Sequence, residues 1–215
     1  MATIARSPGD CCIKTVEHSG TAQGTIEKFA GVDTYVSRPA ELSEQRRVIL
    51  FFADVYGPFF LNSQLIMDYW ASNGYLVLAL DYFEGDPVQN HLGKVGKNYS
   101  IEFDFVPGKM IRAKQITPDW IDAVKEQFGT SQTQWLTVEI DHTFPLEFRR
   151  RAEDIMVEIK ATYHIQVFSG VTHGFSLRGN VDDPVAKWAK EQSASTILSW
   201  FDNSCAAEQR PEVKL

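Results

Sequence analysis

The chain has 215 residues, of which 44% are hydrophobic, and its formal net charge is −7. A chain of this length favours a single domain, taken here as residues 1–215 with a core of about 24–203. The negative charge argues against nucleic acid or an anionic membrane as a partner, because both attract clustered Lys and Arg. No apolar run reaches the length of a membrane span or a signal peptide, so we expect a cytoplasmic protein.

Apolar runs separated by turn residues predict alternating strands and helices in the first half of the chain. Ile26–Phe29 and Val32–Val36 should form a hairpin. Val48–Phe52 and Tyr75–Leu80 are continuous apolar runs, typical of strands that are buried on both faces. The helix predicted between these two runs ends at Asn73-Gly74, and its apolar face comprises Leu61, Leu65, Ile66, Tyr69 and Trp70. A strand, a helix and a strand with short connections indicate a mainly parallel sheet.

The middle of the chain is harder to assign. Residues 82–116 show no clear period and are predicted to form a long loop, which in a compact domain is usually a lid or a binding segment. Thr117-Pro118 has the residue types of a helix start, and Gly129 would end that helix. Trp135–Ile140 is predicted to be the next strand.

The last third of the chain repeats the alternation. A helix is predicted from about residue 145 to 160, with an apolar face of Phe148, Ala152, Ile155 and Ile159. His164–Phe168 should be a strand that leads into the loop of His173. Asp183-Pro184 starts a final helix, whose inward face is predicted to be Val185, Trp188, Ala189, Ile197, Trp200 and Phe201.

Four polar residues follow predicted strand ends, namely Asp54, Asp81, Asp141 and His173. The carboxyl ends of parallel strands share one edge of a sheet, where ligands usually bind. A histidine there can serve as a general base, and a carboxylate can fix its tautomer and stabilise its protonated form. Asp141 followed by His173 is the chain order of acid and base in α/β-hydrolases. Asp141 could also cap the helix that follows it, and the two roles are compatible.

Six segments spread over most of residues 10–203 resemble one family of hydrolases: Gly31–Val36, Ala53–Gly57, Gly74–Val77, Gly85–Pro87, Glu139–His142 with Phe144-Pro145, and Ser169–Phe175. The family is the dienelactone hydrolase family of the α/β-hydrolase superfamily. The resemblance implies an α/β fold with a mainly parallel sheet flanked by helices. It also implies a small-molecule substrate with an ester or lactone bond, and neither a metal nor another cofactor.

The resemblance assigns roles to individual residues. Asp141 and His173 take the positions of the acid and the histidine of a Cys-His-Asp triad. Asp54, Val55, Tyr56 and Arg178 take positions that bind substrate or form the oxyanion hole, with the Val55 N–H as an oxyanion donor. Arg178 matches an arginine that binds a substrate carboxylate, although a surface salt bridge is the alternative interpretation.

The family's nucleophile is a cysteine in a Gly-x-Cys-x-Gly-Gly turn, and this chain has no such turn. Only Thr130–Gln134 joins the predicted helix to the next strand, so several dozen residues that the family has there are absent. The three cysteines, Cys11, Cys12 and Cys205, lie near the termini and have no zinc-ligand spacing, so we expect free thiols. The nucleophile stays unassigned. An unidentified hydroxyl, such as that of Ser131, Thr133 or Ser176, is one alternative, and a water molecule activated by His173 is another.

The missing residues would include strands at the centre of the sheet. Each unfilled strand position would leave a gap of about 4.8 Å with unpaired N–H and C=O groups on both sides. We therefore expect the sheet to be shortened at its centre and to close in a new order. A second chain that supplies the pairing in a homodimer is the alternative.

Three functions are consistent with the sequence. The first is a dienelactone-hydrolase-like enzyme in which the His173–Asp141 pair is the general base. The second is a non-hydrolytic acid/base enzyme on the same scaffold, such as an isomerase, a cyclase or a lyase, which needs no covalent intermediate. The third is a relative without catalytic activity, either a small-molecule-binding protein or a truncated isoform.

Overall fold

The computed structural model of the chain describes residues 13, 15–95, 97–139 and 146–207. Its strands are β1 (Thr25–Phe29), β2 (Val32–Ser37), β3 (Arg47–Phe52), β4 (Leu76–Leu80) and β5 (Gln134–Glu139). Its α-helices are α1 (Leu61–Ser72), α2 (Val106–Phe128), α3 (Leu146–Glu158), α4 (Phe175–Arg178) and α5 (Pro184–Ala207). Within these residues, no helix has the length and apolar character that a membrane crossing requires.

The five strands form one sheet in the order β1-β2-β4-β3-β5. Strand β3 runs parallel to both of its neighbours, β4 and β5. The β1–β2 and β2–β4 pairs are antiparallel. The predicted α/β class is confirmed, and the sheet is mixed because the N-terminal hairpin joins the parallel strands along the edge of β4.

The sheet closes directly from β3 to β5. The parallel register runs without interruption from Arg47 opposite Gln134 to Phe52 opposite Glu139. The N–H and C=O groups along this edge of β3 are therefore paired within one chain. Of the two alternatives that the missing segment leaves, closure in a new order is the one found.

Helices cover both faces of the sheet, and the side chains of β3 alternate between them. Ile49 and Phe51 point into the cluster that contains Trp70 of α1 and Phe201 of α5. Val48 and Leu50 point into the opposite cluster, which contains Trp120 of α2. Period-2 alternation with apolar residues on both faces explains why this run is continuously hydrophobic.

Helix α2 begins at Val106, twelve residues before Pro118, the first helical position that the sequence predicted. The expected loop 82–116 contains a 3₁₀-helix at Val88–Lys94, a π-helix at Ile101–Phe105 and the first turns of α2. Pro118 lies inside α2 rather than at its start, so Thr117 is not the N-cap. A proline in a helix removes one backbone donor and crowds the preceding turn. Burial of Ile116, Trp120 and Val124 against the sheet offsets this cost.

The predicted strand His164–Phe168 is not formed, since residues 161–168 adopt neither helix nor strand. Ile165 and Val167 are exposed. A strand requires a ladder partner, and within the described residues β5 pairs with β3 alone. Phe168 is held through its side chain instead, with ring centroids 5.1 Å from Phe175 and 5.6 Å from Trp188.

Two helix faces also differ in part from the prediction. Ile159 lies past the end of α3 and is exposed. In α5, Ala189 and Phe201 are buried as expected, whereas Val185 and Trp188 are exposed. The apolar cluster against which α5 packs involves Ala194 and later residues, so the first turns of the helix lie largely outside it.

Trp120 and Thr34 provide a test of how α2 is held on the sheet. The Trp120 Nε1–H donates to the Thr34 Oγ1 at 2.8 Å, and both residues are buried. Replacing Thr34 by Val leaves this donor unpaired, so we expect the free energy of unfolding in urea to fall by about 1–3 kcal/mol. The double variant Thr34→Val/Trp120→Phe has no orphaned donor. It should lose less than the sum of the two single variants, and strict additivity would contradict the proposed role of this bond.

Candidate functional site

The loop after β3 presents a buried carboxylate. Asp54 is 3% exposed, and its Oδ1 accepts a hydrogen bond of 2.8 Å from the Tyr56 N–H. The Gly57 N–H donates to the Asp54 carbonyl at 2.8 Å, which closes a tight turn. Gly57 has a φ of +79°, a left-handed conformation that favours glycine. The local sequence therefore holds Asp54 at the carboxyl end of β3.

Arg178, the last residue of α4, reaches the same loop. Its Nε lies 3.3 Å from the Asp54 Oδ2, and both side chains are only 1% exposed. The guanidinium carbon lies 5.2 Å from the centre of the Tyr56 ring, in a cation–π contact. The surface salt bridge considered from the sequence is wrong, because this ion pair is buried.

His173 lies on the turn that the Arg178 guanidinium contacts. Gly174 follows it with a φ of +79°, and a Cβ atom at this glycine would overlap the Arg178 guanidinium. Only glycine therefore allows the arginine to pack on the backbone beside His173. The structure thus brings the histidine turn, Arg178 and Asp54 together.

A second set of polar side chains binds the short helix that follows the histidine turn. Asn62 and Lys190 donate to the Leu177 carbonyl at 3.0 and 3.1 Å, and Lys190 also donates to the Ser176 carbonyl at 3.1 Å. The His18 Nε2 lies 3.0 Å from the Gly179 carbonyl oxygen. These groups bind the carbonyls at the C-terminal end of α4, which have no partner within the helix.

Burial lowers the pKa of Lys190 to about 8. Burial is also the largest cause of the lowered pKa of His18, with a smaller contribution from the charge of Lys190. Sequence reasoning missed both residues, as well as Asn62. No local pattern marks them, because their partners lie on other elements of the structure.

Val55 and Tyr56 are fixed by the segment that follows β4. The Val88 N–H donates to the Val55 carbonyl at 2.9 Å, and the Gln89 Nε2 donates to the Tyr56 carbonyl at 3.0 Å. Within the part of the chain that the structure describes, the Val55 N–H is not the donor of any hydrogen bond. This geometry is compatible with a backbone donor that binds an oxyanion.

Asp81, at the end of β4, is turned toward its own loop. Its carboxylate accepts hydrogen bonds from the Phe83 N–H at 3.0 Å and the Gly85 N–H at 2.7 Å. Burial raises the pKa of Asp81, and these two bonds oppose the rise. The contacts of Asp81 therefore stabilise the loop that follows β4.

Asp141 lies outside the described residues. The strand before it, β5, ends at Glu139, directly opposite Phe52 and therefore next to the strand that leads to Asp54. Among described residues, no group of three His, Cys, Asp or Glu side chains could hold a metal ion.

Ser131 and Thr133 lie near the starts of the parallel strands β3 and β5, whereas Asp54 lies past the end of β3. They precede β5, and the next residue, Gln134, is paired with Arg47 at the start of β3. Six strand residues span roughly 20 Å, so these hydroxyls cannot act with a base near Asp54. A cavity of about 410 Å³ near these strand starts is lined in part by Arg47, Asp202 and Cys205. The thiol of Cys205 is thus also remote from the candidate site.

Comparisons with known proteins agree with this architecture. Residues 127–205 match the model of the dienelactone hydrolase family. The chain is similar to Dienlactone hydrolase 2 of Gibberella moniliformis, with 34% identity over 229 aligned positions that cover 94% of this chain and 97% of the relative. It is also similar to Hydrolase pyvD of Aspergillus violaceofuscus, with 31% identity over 91% of this chain and 96% of the relative.

A third relative is Dienlactone hydrolase 1 of Gibberella moniliformis, 28% identical over 255 positions that cover 95% of this chain and 97% of the relative. The alignments with these three relatives span 229, 241 and 255 positions, whereas this chain has only 215 residues. The relatives therefore carry residues that have no counterpart here.

The Asp54–Arg178 pair can be tested through stability. Replacing Arg178 by Met leaves a buried carboxylate without its cation, so we expect the free energy of unfolding to fall by about 3–5 kcal/mol. Chemical denaturation followed by tryptophan fluorescence measures this change. Arg38→Met is the matched control, because Arg38 forms a more exposed pair with Glu27 and should cost much less. Equal losses in the two variants would contradict the importance of burial.

Proposed function

Because this chain belongs to the dienelactone hydrolase family, we propose that it hydrolyses a small carboxylic ester or lactone with His173 as the general base. The observation that supports this proposal most strongly is the contact of Arg178 with Asp54 and with Gly174. These two contacts of Arg178 hold the histidine turn at the carboxyl end of β3. Ligand chemistry in open α/β sheets is concentrated at this edge.

In the proposed reaction, His173 removes a proton from a water molecule that attacks the carbonyl carbon of the substrate. Asp141 would stabilise the resulting imidazolium, as an acid behind a catalytic histidine does. The Val55 N–H would donate to the oxygen that becomes negatively charged. Tyr56 would form part of the substrate-binding wall through its ring.

Arg178 has a different role in this proposal from the one that the family resemblance implies. Its ion pair with Asp54 is buried, and its guanidinium packs on Tyr56 and Gly174. A cation committed to these contacts is better suited to positioning the histidine turn than to direct binding of a substrate carboxylate.

One observation favours a second candidate, a non-hydrolytic acid/base enzyme such as an isomerase, a cyclase or a lyase, whose reaction needs no covalent intermediate. The sequence contains no Gly-x-Ser-x-Gly or Gly-x-Cys-x-Gly turn, and the relatives contain residues that this chain lacks. Hydrolysis of p-nitrophenyl acetate that depends on His173 distinguishes the candidates, because only the first one breaks an ester bond. Covalent labelling of one serine or cysteine by a fluorophosphonate or by iodoacetamide would identify a nucleophile and contradict both candidates, since neither forms a covalent intermediate.

The proposal predicts the effect of replacing the base. His173→Ala should lower kcat/KM for p-nitrophenyl acetate by about 10²–10⁴-fold, because general base catalysis contributes this much to the rate. His164→Ala is the matched control, since His164 is exposed and packs on Trp200. Circular dichroism checks that both variants are folded. Turnover that is equal in the two variants would refute His173 as the base.

A further inference from the structure

Three side chains of residues 82–105, outside the site described above, form a hydrogen-bonded chain. The His91 Nε2 lies 2.8 Å from the Asp86 Oδ1, and the Tyr99 hydroxyl lies 2.9 Å from the His91 Nδ1. A hydroxyl, an imidazole and a carboxylate in this order are the parts of an acid/base relay, in which the carboxylate orients the base. Sequence reasoning did not find this relay.

The charge on Asp86 determines the direction of each bond. Burial alone would raise the pKa of Asp86, but hydrogen bonds from Lys109, Asn90 and His91 together lower the pKa to about 2. The carboxylate is therefore ionised and accepts the Nε2–H of His91. In the neutral ring, Nδ1 is then the acceptor of the Tyr99 O–H.

Aromatic packing holds the imidazole in this orientation. The His91 ring is stacked on the Tyr99 ring with a centroid distance of 5.3 Å and an angle of 7°. It also meets the Phe105 ring edge-on at 5.2 Å. The His91 side chain is only 14% exposed, so the packing restricts its access to water.

The relay lies on a segment that is bonded to the candidate site. His91 belongs to the 3₁₀-helix whose Val88 N–H and Gln89 side chain bind the carbonyls of Val55 and Tyr56. Tyr99 packs against the apolar cluster that contains Val55 and Tyr56. The proposed oxyanion loop and the relay therefore share one packed cluster.

The tyrosine is suited to give a proton rather than to attack as a nucleophile. Burial raises the pKa of Tyr99, and the charges of Asp104 and Asp86 raise it further. The phenol thus keeps its proton near neutral pH. When His91 is protonated, both ring nitrogens donate, so the Tyr99 oxygen becomes an acceptor and its O–H can turn toward a ligand.

We propose that Tyr99 is a general acid that protonates the leaving oxygen of the substrate, with His91 and Asp86 as the positioning residues that restore its proton. This inference rests on the proposed function. As the carbon–oxygen bond of the tetrahedral intermediate breaks, its electron pair goes to the leaving oxygen, which takes the Tyr99 proton. The Nδ1 proton of the His91 imidazolium then moves to the Tyr99 oxygen and leaves a neutral ring, which takes up a proton from solvent before the next turnover.

Leaving-group dependence tests this role. An alkoxide must be protonated to leave, whereas p-nitrophenolate leaves readily without a proton. In Tyr99→Phe, kcat/KM for an alkyl acetate should therefore fall at least about tenfold more than kcat/KM for p-nitrophenyl acetate. His91→Gln should change this ratio in the same direction. Tyr163→Phe, at a tyrosine that is 40% exposed, is the matched control and should leave the ratio unchanged.

The outcomes separate this inference from the proposed function. If both esters are turned over in a reaction that depends on His173, but Tyr99→Phe changes both rates equally or not at all, the general acid role is refuted. The hydrogen bonds of the relay then only stabilise the conformation of residues 82–105. If neither ester is turned over in a reaction that depends on His173, the proposed function fails and the role of Tyr99 fails with it.

Discussion

The buried ion pair between Asp54 and Arg178 is the interaction on which the geometry of the site depends. A buried charge without a partner is strongly destabilising, so the loop after β3 and the end of α4 must stay together. The arginine reaches Asp54 across the backbone of Gly174, where a side chain would block it. The position of the His173 turn thus follows from the pairing of Arg178, at the end of the short helix that follows the turn, with Asp54 after β3.

The closure of the sheet explains how the geometry of the site is kept without the segment that holds the family's nucleophile. Strand β5 pairs with β3 along its whole length, so the strand end before Asp141 lies beside the strand end before Asp54. The carboxyl ends of β3 and β5 thus stay side by side in the absence of that segment. The proposed function therefore relies on proton transfer, by His173 at this edge of the sheet and by the Asp86–His91–Tyr99 relay.

Much of the frame could be predicted from the sequence, because strands buried on both faces and helices with turn residues at their ends leave local patterns. The strand-end position of Asp54 followed from such patterns. The approach of the histidine loop was predicted from a strand at His164–Phe168 that is not formed, and the contacts of Arg178 hold the loop there instead. Pro118 misled the prediction because tertiary packing of α2 outweighs a local signal for a helix start. The segment 164–168 has strand-forming residues, but such residues form a strand only when a partner strand is available.

The residues that sequence reasoning missed depend on contacts between groups that do not belong to the same helix or strand. Lys190 is one of several charged residues in the sequence of α5. Only the structure shows that its ammonium group donates to two carbonyls of α4. His91 lies in the 3₁₀-helix and Tyr99 follows that helix, in a stretch of the sequence without period, so no pattern predicts the bond between their side chains. Such pairs are invisible to spacing rules, which report on one helix or one strand at a time.

Pre-steady-state release of p-nitrophenolate from p-nitrophenyl acetate tests the central claim, direct attack of water activated by His173, most directly. The account predicts a linear release from the first turnover, because no acyl-enzyme accumulates, and the loss of this release when His173 is replaced. A burst equal in amount to the enzyme would show a covalent intermediate on a nucleophile and would contradict the account. Release that is independent of His173 would contradict it equally.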